Sequence, residues 1–143
     1  MSRNDREREN VQPDMVKELR IALTVENYDE ALAFYRDALG LKLLDEWKTE
    51  TSNGALLEAG RATLEIFDEG QAAMVDDLEV GRRVSGTIRF AVEVQDSAAV
   101  ATELVRAGAQ HVADPVTTPW GDVNARVQAP DGMQLTLFTP AGS

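Results

Sequence analysis

Side chains able to do covalent chemistry are scarce in this chain. Of its 143 residues none is cysteine and one is histidine, His111. Thiolate catalysis and cysteine metal sites are removed at once, and no His, Cys or Ser constellation offers a nucleophile with a base. His111 falls in the short segment after the second helical stretch and reads as a surface or edge residue. What remains is a set of arginines and carboxylates on strand-like stretches: Arg20, Glu65, Arg89 and Glu93, with Thr136 and two aromatic rings, Phe67 and Phe138, at matching positions. An arginine is cationic at any working pH and has no lone pair to donate. Its fork of N–H donors suits a carboxylate, phosphate or carbonyl oxygen and repels a metal ion.

The elements that must position these residues are written twice. Leu19-Arg20-Ile21-Ala22-Leu23-Thr24-Val25 is echoed sixty-nine residues later by Ile88-Arg89-Phe90-Ala91-Val92-Glu93-Val94. Apolar residues alternate in both, the period of a strand with one buried face. Each stretch is followed by a helical one, Asn27 to Leu39 and Asp96 to Ala107, stopped by Gly40 and Gly108. Thr63-Leu64-Glu65-Ile66-Phe67 is matched by Gln134-Leu135-Thr136-Leu137-Phe138. A period this long points to two copies of one small β-α-β-β-β module within a single domain.

Alternation assigns Arg20, Ala22, Thr24, Thr63, Glu65, Phe67, Arg89, Ala91, Glu93, Gln134, Thr136 and Phe138 to one face. Leu64, Ile66, Leu135, Leu137 and their partners take the other, which should pack under the helices. The remaining expected strands are Leu41 to Trp47, Ala55 to Ala59, Ala62 to Asp68, His111 to Ala113, Val123 to Gln128 and Met133 to Thr139, with turns at Ser52-Asn53-Gly54 and Ala129-Pro130-Asp131-Gly132. Asn27 can cap the first helix, with Glu30 at the capping-box position. Residues 1–15 read as a disordered arm and 16–140 as one domain. Its modules, about 17–68 and 86–139, are joined by an acidic linker, 69–85, partly helical around Ala72 to Leu78. The class is α+β with a largely antiparallel sheet.

A formal net charge of −11 resides almost wholly in the folded part, since three arginines and four acids among the first fifteen residues leave about −1 there. Such a surface disfavours phosphate backbones and anionic membranes. Neither nucleic acid nor membrane is an expected partner, and without the apolar run of a signal peptide the expected compartment is the cytoplasm.

In their order and spacing, several stretches together resemble the vicinal oxygen chelate superfamily, the glyoxalase/bleomycin-resistance/dioxygenase proteins. They are Ile21-Ala22-Leu23-Thr24-Val25, Ala31-Leu32-Ala33-Phe34-Tyr35, Leu39-Gly40-Leu41, Ala62-Thr63-Leu64-Glu65-Ile66, Thr118-Pro119-Trp120-Gly121 and Pro130-Asp131-Gly132. The resemblance runs from about Lys17 to Pro140. It implies paired βαβββ modules whose strands form a curled mixed sheet around an open cup, with the ligand inside and a homodimer as the common assembly. In metal-dependent members four inward positions hold a divalent ion. Matched to this chain they fall at Arg20, Glu65, Arg89 and Thr136, of which only Glu65 is a ligand type. A divalent ion needs three or more converging His or carboxylate groups, so no metal or other cofactor is expected.

Two readings of the cup stand side by side. Arg20 and Arg89 pair with Glu65 and Glu93 in a buried network, or one guanidinium stays free for a ligand while Phe67, Phe138 and Trp120 or Trp47 form apolar walls. The ligand-binding candidates are thus Arg20, Glu65, Phe67, Arg89, Trp120, Thr136 and Phe138. The function expected from them is metal-free binding of a neutral or anionic, partly planar small molecule, similar to the drug-sequestering members of the superfamily. A metal-dependent lyase or ring-cleaving dioxygenase, or a dimer without a specific ligand, is the alternative.

Overall fold

Local capping and alternation set the element order in the computed structural model, which describes residue 18, residues 20–63 and residues 65–142. Helix α1 (Tyr28–Leu32, prolonged as a π-helical stretch Ala33–Ala38) leads into β1 (Lys42–Lys48) and β2 (Asn53–Glu58). Helix α2 (Glu69–Glu79) precedes β3 (Phe90–Glu93), α3 (Ser97–Arg106), β4 (Gln110–Thr117), β5 (Val123–Gln128) and β6 (Gln134–Thr139). Each helix starts on an Asx side chain that accepts an otherwise orphaned backbone N–H: Asn27 from Glu30, Asp68 from Gln71 and Asp96 from Ala99. Gly40 and Gly108, at φ of 86° and 115°, supply the left-handed residues just beyond α1 and α3.

The second half forms the complete module. Its four strands make one mixed sheet in the order β3-β6-β5-β4, with β3 parallel to β6 and the other neighbours antiparallel. Register sorts the side chains into two faces. Ala125 stands opposite Leu137 and Val127 opposite Leu135. One step along, Asn124, Arg126 and Gln128 stand opposite Phe138, Thr136 and Gln134. The aliphatic face packs against Leu104 of α3 and against Phe34 and Tyr35 of α1, whose rings meet edge to face at 5.2 Å. Leu104, Val127, Leu135 and Leu137 are all essentially without solvent exposure. The apolar residues expected under the helices in this half are therefore there. Tyr35 also reaches out of this core to Asp131 in the β5–β6 turn, at 3.1 and 3.2 Å. Burial, and after it the Asp131 charge, pushes its phenol above the usual range.

The first half departs from the expected plan. Only β1 and β2 pair, as a two-stranded antiparallel hairpin. The stretches expected as strands at Leu19 to Val25 and Ala62 to Asp68 carry no strand pairing in their described parts. Ile21 and Ile66 are 50% and 86% exposed, so Ile66 does not pack beneath a helix as its alternation suggested. The hairpin turn lies earlier than Ser52-Asn53-Gly54, at Thr49 to Ser52. Thr49 N–H bonds to Ser52 O, while Asn53 and Gly54 already pair with Lys48 and Trp47. Strand β4 runs on past Ala113 to Thr117, because two register irregularities let the ladder continue around Pro115. The expected arm and residues Leu19 and Leu64 lie outside the described residues.

Candidate functional site

On the polar face of the four-stranded sheet the middle position of β5 is taken by Arg126, with no solvent exposure at all. It lies opposite Thr136 of β6, and α2 crosses above both. The helix turns Asp76 and Glu79, one turn apart, down onto the guanidinium. Arg126 Nη1 donates to Asp76 Oδ1 at 3.0 Å, and Nη2 and Nε donate to Glu79 Oε1 at 2.9 and 3.2 Å. Further bonds from Nη1 reach Ser85 Oγ at 3.0 Å and Gln134 Oε1 at 3.2 Å. Every hydrogen-bonding nitrogen of the fork is engaged, which is the condition under which a buried charge persists.

Both carboxylates are as fully used as the cation. Asp76 also accepts Ser85 Oγ–H, the backbone N–H groups of Val84 and Ser85, and Arg83 Nη1. Burial alone would raise its pKa. Hydrogen bonds from Ser85, Val84 and Arg126 outweigh burial and hold the carboxyl well below the usual carboxylate range. Glu79 accepts Thr136 Oγ–H at 2.7 Å and Asn124 Nδ2 at 3.0 Å. The single polar side-chain atom buried without a partner among the described residues is Asn124 Oδ1, at the rim of this cluster.

Thr136 links this floor to a second arginine. Its hydroxyl donates to Glu79 and accepts from Arg89 Nη1 at 2.7 Å. Arg89 is half-buried, and among the described residues it makes no ion pair. Desolvation lowers its pKa and so does the nearby Arg126. Glu79, Glu65 and Asp76 act in the opposite sense without closing a contact. A hollow of about 300 Å³ opens between the segments that carry Leu23, Thr24, Val84, Ile88, Met133 and Gln134, and Arg89 is not among the residues that line it. A larger hollow of about 670 Å³ lies between α1 and the β5–β6 turn, and none of the seven candidate residues lines either hollow.

Of those seven, the structure brings Arg89 and Thr136 into direct contact, with Phe138 one register step further along β6 and half-buried. Phe67 is half-buried on an unpaired segment. Arg20 is exposed and pairs with Glu18, and Glu65 is exposed. The network expected between Arg20, Arg89, Glu65 and Glu93 is thus replaced by one between Arg126, Asp76 and Glu79. Trp120 is half exposed, its indole N–H donating to Asp122 of the same loop at 3.1 Å. His111 is an exposed residue on the edge strand β4, 2.8 Å from Asp114, as the sequence suggested.

Sequence reasoning passed over Arg126, Asp76, Glu79, Asn124 and Ser85. Alternation within Val123 to Gln128 puts Asn124 and Arg126 on the face opposite Ala125 and Val127. The i,i+3 spacing of Asp76 and Glu79 puts both acids on one side of α2. Both signals were present in the sequence.

The family model of the Glyoxalase/Bleomycin resistance protein/Dioxygenase superfamily matches residues 19–137. The chain belongs to this superfamily. No curated protein matches it in sequence. Among solved structures, glyoxalase I from Zea mays is similar at 23% identity and a TM-score of 0.57, covering 83% of this chain and 43% of that one. A glyoxalase-related enzyme from Fulvimarina pelagi shares 19% identity over 87% of this chain and 88% of its own, with a TM-score of 0.54. TioX from Micromonospora sp. ML1 shares 20% over 88% and 98%, with a TM-score of 0.55. At these identities the likeness shows the glyoxalase fold and leaves the chemistry to this chain's own residues.

Those residues do not fit the divalent ion that the superfamily's metal-dependent members hold. The positions that the resemblance matches to that ion carry Arg20, Glu65, Arg89 and Thr136, and beside Arg89 and Thr136 the floor carries a further guanidinium, Arg126. Among the described residues no three His, Cys, Asp or Glu side chains converge. The nearest carboxylates, Asp76 and Glu79, already hold Arg126 between them. A cation placed here would face two arginines.

Proposed function

We propose that this superfamily member is a metal-free small-molecule-binding protein whose cup takes a neutral or anionic, partly planar ligand. The observation that carries the reading is Arg89: a half-buried guanidinium, steadied by Thr136, with no acid in contact among the described residues. A desolvated, unpaired fork is a strong site for a ligand carboxylate or carbonyl, because charge-assisted bonds gain where water is excluded. Phe138, on the same face of β6 as Thr136, supplies an apolar wall for a planar body, and Phe67 and Trp120 are the further aromatic members of the set in this reading. Arg20, exposed and paired with Glu18, and the exposed Glu65 remain further members of the ligand set in this reading. The partner in this reading is a second copy of the chain, since Ile21, Leu44, Trp47, Ile66 and Ile88 leave apolar surface to be covered. No helix of the described residues is long and apolar enough to cross a membrane.

The test is calorimetric titration with benzoate, with benzylamine as the cationic control, on the wild type and on Arg89→Glu. Benzoate binding that Arg89→Glu abolishes, with benzylamine silent in the wild type, is the expected result. Unchanged benzoate binding in Arg89→Glu refutes Arg89 as the anchor. Stoichiometric Mn, Fe, Ni, Co or Zn retained by the purified protein refutes the metal-free assignment.

A further inference from the structure

The floor of the cup is built as an anion site and already holds an anion from its own chain. Donors converge on the Glu79 carboxylate from Arg126, Thr136 and Asn124, all on the sheet, at 2.7 to 3.2 Å. The carboxylate itself arrives from outside the sheet, on the last turn of α2, with one methylene stem more than Asp76. The two acids differ in how they are tied. Asp76 is fixed by its own loop as well as by Arg126, through the N–H groups of Val84 and Ser85 and the Ser85 hydroxyl. Among the described residues Glu79 has no partner outside the sheet, so releasing it breaks no bond within the α2 segment.

From this asymmetry we infer that Glu79 is an internal stand-in for a ligand carboxylate, and that a small anionic ligand anchored on Arg89 binds by exchanging with it. The inference rests on the small-molecule reading above. Thr136 makes the exchange local, since the hydroxyl that now donates to Glu79 is the one that Arg89 holds. A carboxylate entering beside Arg89 therefore meets Thr136 before any other group of the floor. The exchange is also electrostatically even: one carboxylate replaces another on Arg126, so no buried charge is left uncompensated at the end. Glu79 then rotates to solvent at the end of α2 while Asp76 keeps the helix anchored. The site thereby selects ligands. A neutral ligand leaves Arg126 half-paired if it displaces Glu79, whereas a monocarboxylate restores the pairing. A tethered competitor at high effective concentration also sets the affinity that any ligand must exceed.

Glu79→Gln keeps the shape and removes the competing charge, leaving Asp76 on Arg126. Benzoate is the probe, titrated into wild type, Glu79→Gln and Arg89→Met, with amide exchange of residues 69–79 followed in the wild type with and without it. The expected results are at least tenfold tighter benzoate binding in Glu79→Gln and faster exchange in the last turn of α2 of the wild type on saturation. Equal or weaker binding in Glu79→Gln with binding intact in the wild type overturns the exchange and leaves the Arg89 site standing. Binding that survives Arg89→Met removes the reading underneath instead. Should Glu79→Gln fail to fold, unchanged or slower exchange of the last turn in benzoate-saturated wild type overturns the proposal, and absence of benzoate binding in every folded protein overturns both.

Discussion

Substituting Arg126 by methionine keeps the volume of the side chain and deletes its charge, and the bonds lost can be read individually. Six go: two to Glu79 Oε1 and one each to Asp76 Oδ1, Ser85 Oγ, Gln134 Oε1 and Thr136 Oγ1. The two acids then fare differently. Asp76 retains Arg83 and three donors from Val84 and Ser85. Glu79 retains only Thr136 and Asn124, neither charged. The penalty therefore concentrates on Glu79 as a buried carboxylate without a cation, a situation that costs about 3–5 kcal/mol. For a chain of this size that corresponds to a melting temperature lower by roughly 10–20 °C. Urea unfolding followed by far-ultraviolet circular dichroism measures it. Because the cost is ascribed to the stranded charge, Arg126→Met combined with Glu79→Gln should recover about half of it. A loss below about 1 kcal/mol, the size of an exposed ion pair, would refute the reasoning. So would a double variant no more stable than Arg126→Met.

Asp76→Asn should destabilise the protein at pH 7 and lose that effect in acid. The wild-type carboxyl is held below its unfolded value, so its contribution is complete above about pH 4 and is lost as the pH falls further toward the folded value. Denaturant midpoints of the two proteins should converge below about pH 4, and a constant gap from pH 7 to pH 3 would count against the assignment. Tyr35→Phe removes the tie between α1 and the β5–β6 turn, and unfolding should show a loss of about 1.5–3 kcal/mol, the range for a hydrogen bond to a charged group. Gly54→Ala places a methyl group against the Trp47 indole across the β1–β2 hairpin and should shift that ring at a cost of about 1–3 kcal/mol. Tryptophan emission in a Trp120→Phe background reports the shift.

Most elements of the second module were legible from sequence, because their signals are local. Asp96 caps its helix, Gly108 ends it, Pro130-Asp131-Gly132 turns the chain, and the alternation of Gln134 to Phe138 fixes both faces of β6. The first module shows the limit of that logic. Ile21-Ala22-Leu23 alternates as cleanly as Phe90-Ala91-Val92, yet only the latter pairs with another strand. Alternation states which face a strand would bury, and a ladder also requires a partner at the edge. The short reading of β4 failed at Asp114-Pro115 for a related reason, since proline ends a regular ladder but is accommodated at an irregularity on an edge strand. At the site, Arg89 and Thr136 were found because the repeat pointed to them. Arg126 was missed because its counterpart strand in the first half, β2, carries Ala55, Leu56 and Leu57 and offers no echo. Asp76 and Glu79 sit in the linker, which has no repeat partner, so symmetry could not single them out.

The crossing of α2 over the second sheet means that the halves divide differently in space than in sequence. The repeat places residues 69–85 between the modules, but the carboxylates of that stretch close the centre of the later one across separations of 45 to 57 residues. A fragment beginning at residue 86 would present Arg126 bare on an open sheet, and one ending at residue 85 would carry two acids with nothing to meet. Cutting or circularly permuting the gene at the repeat boundary therefore does not release two independent folding units. The break that respects the molecule lies before Asp68, so that the acidic helix travels with the sheet it completes.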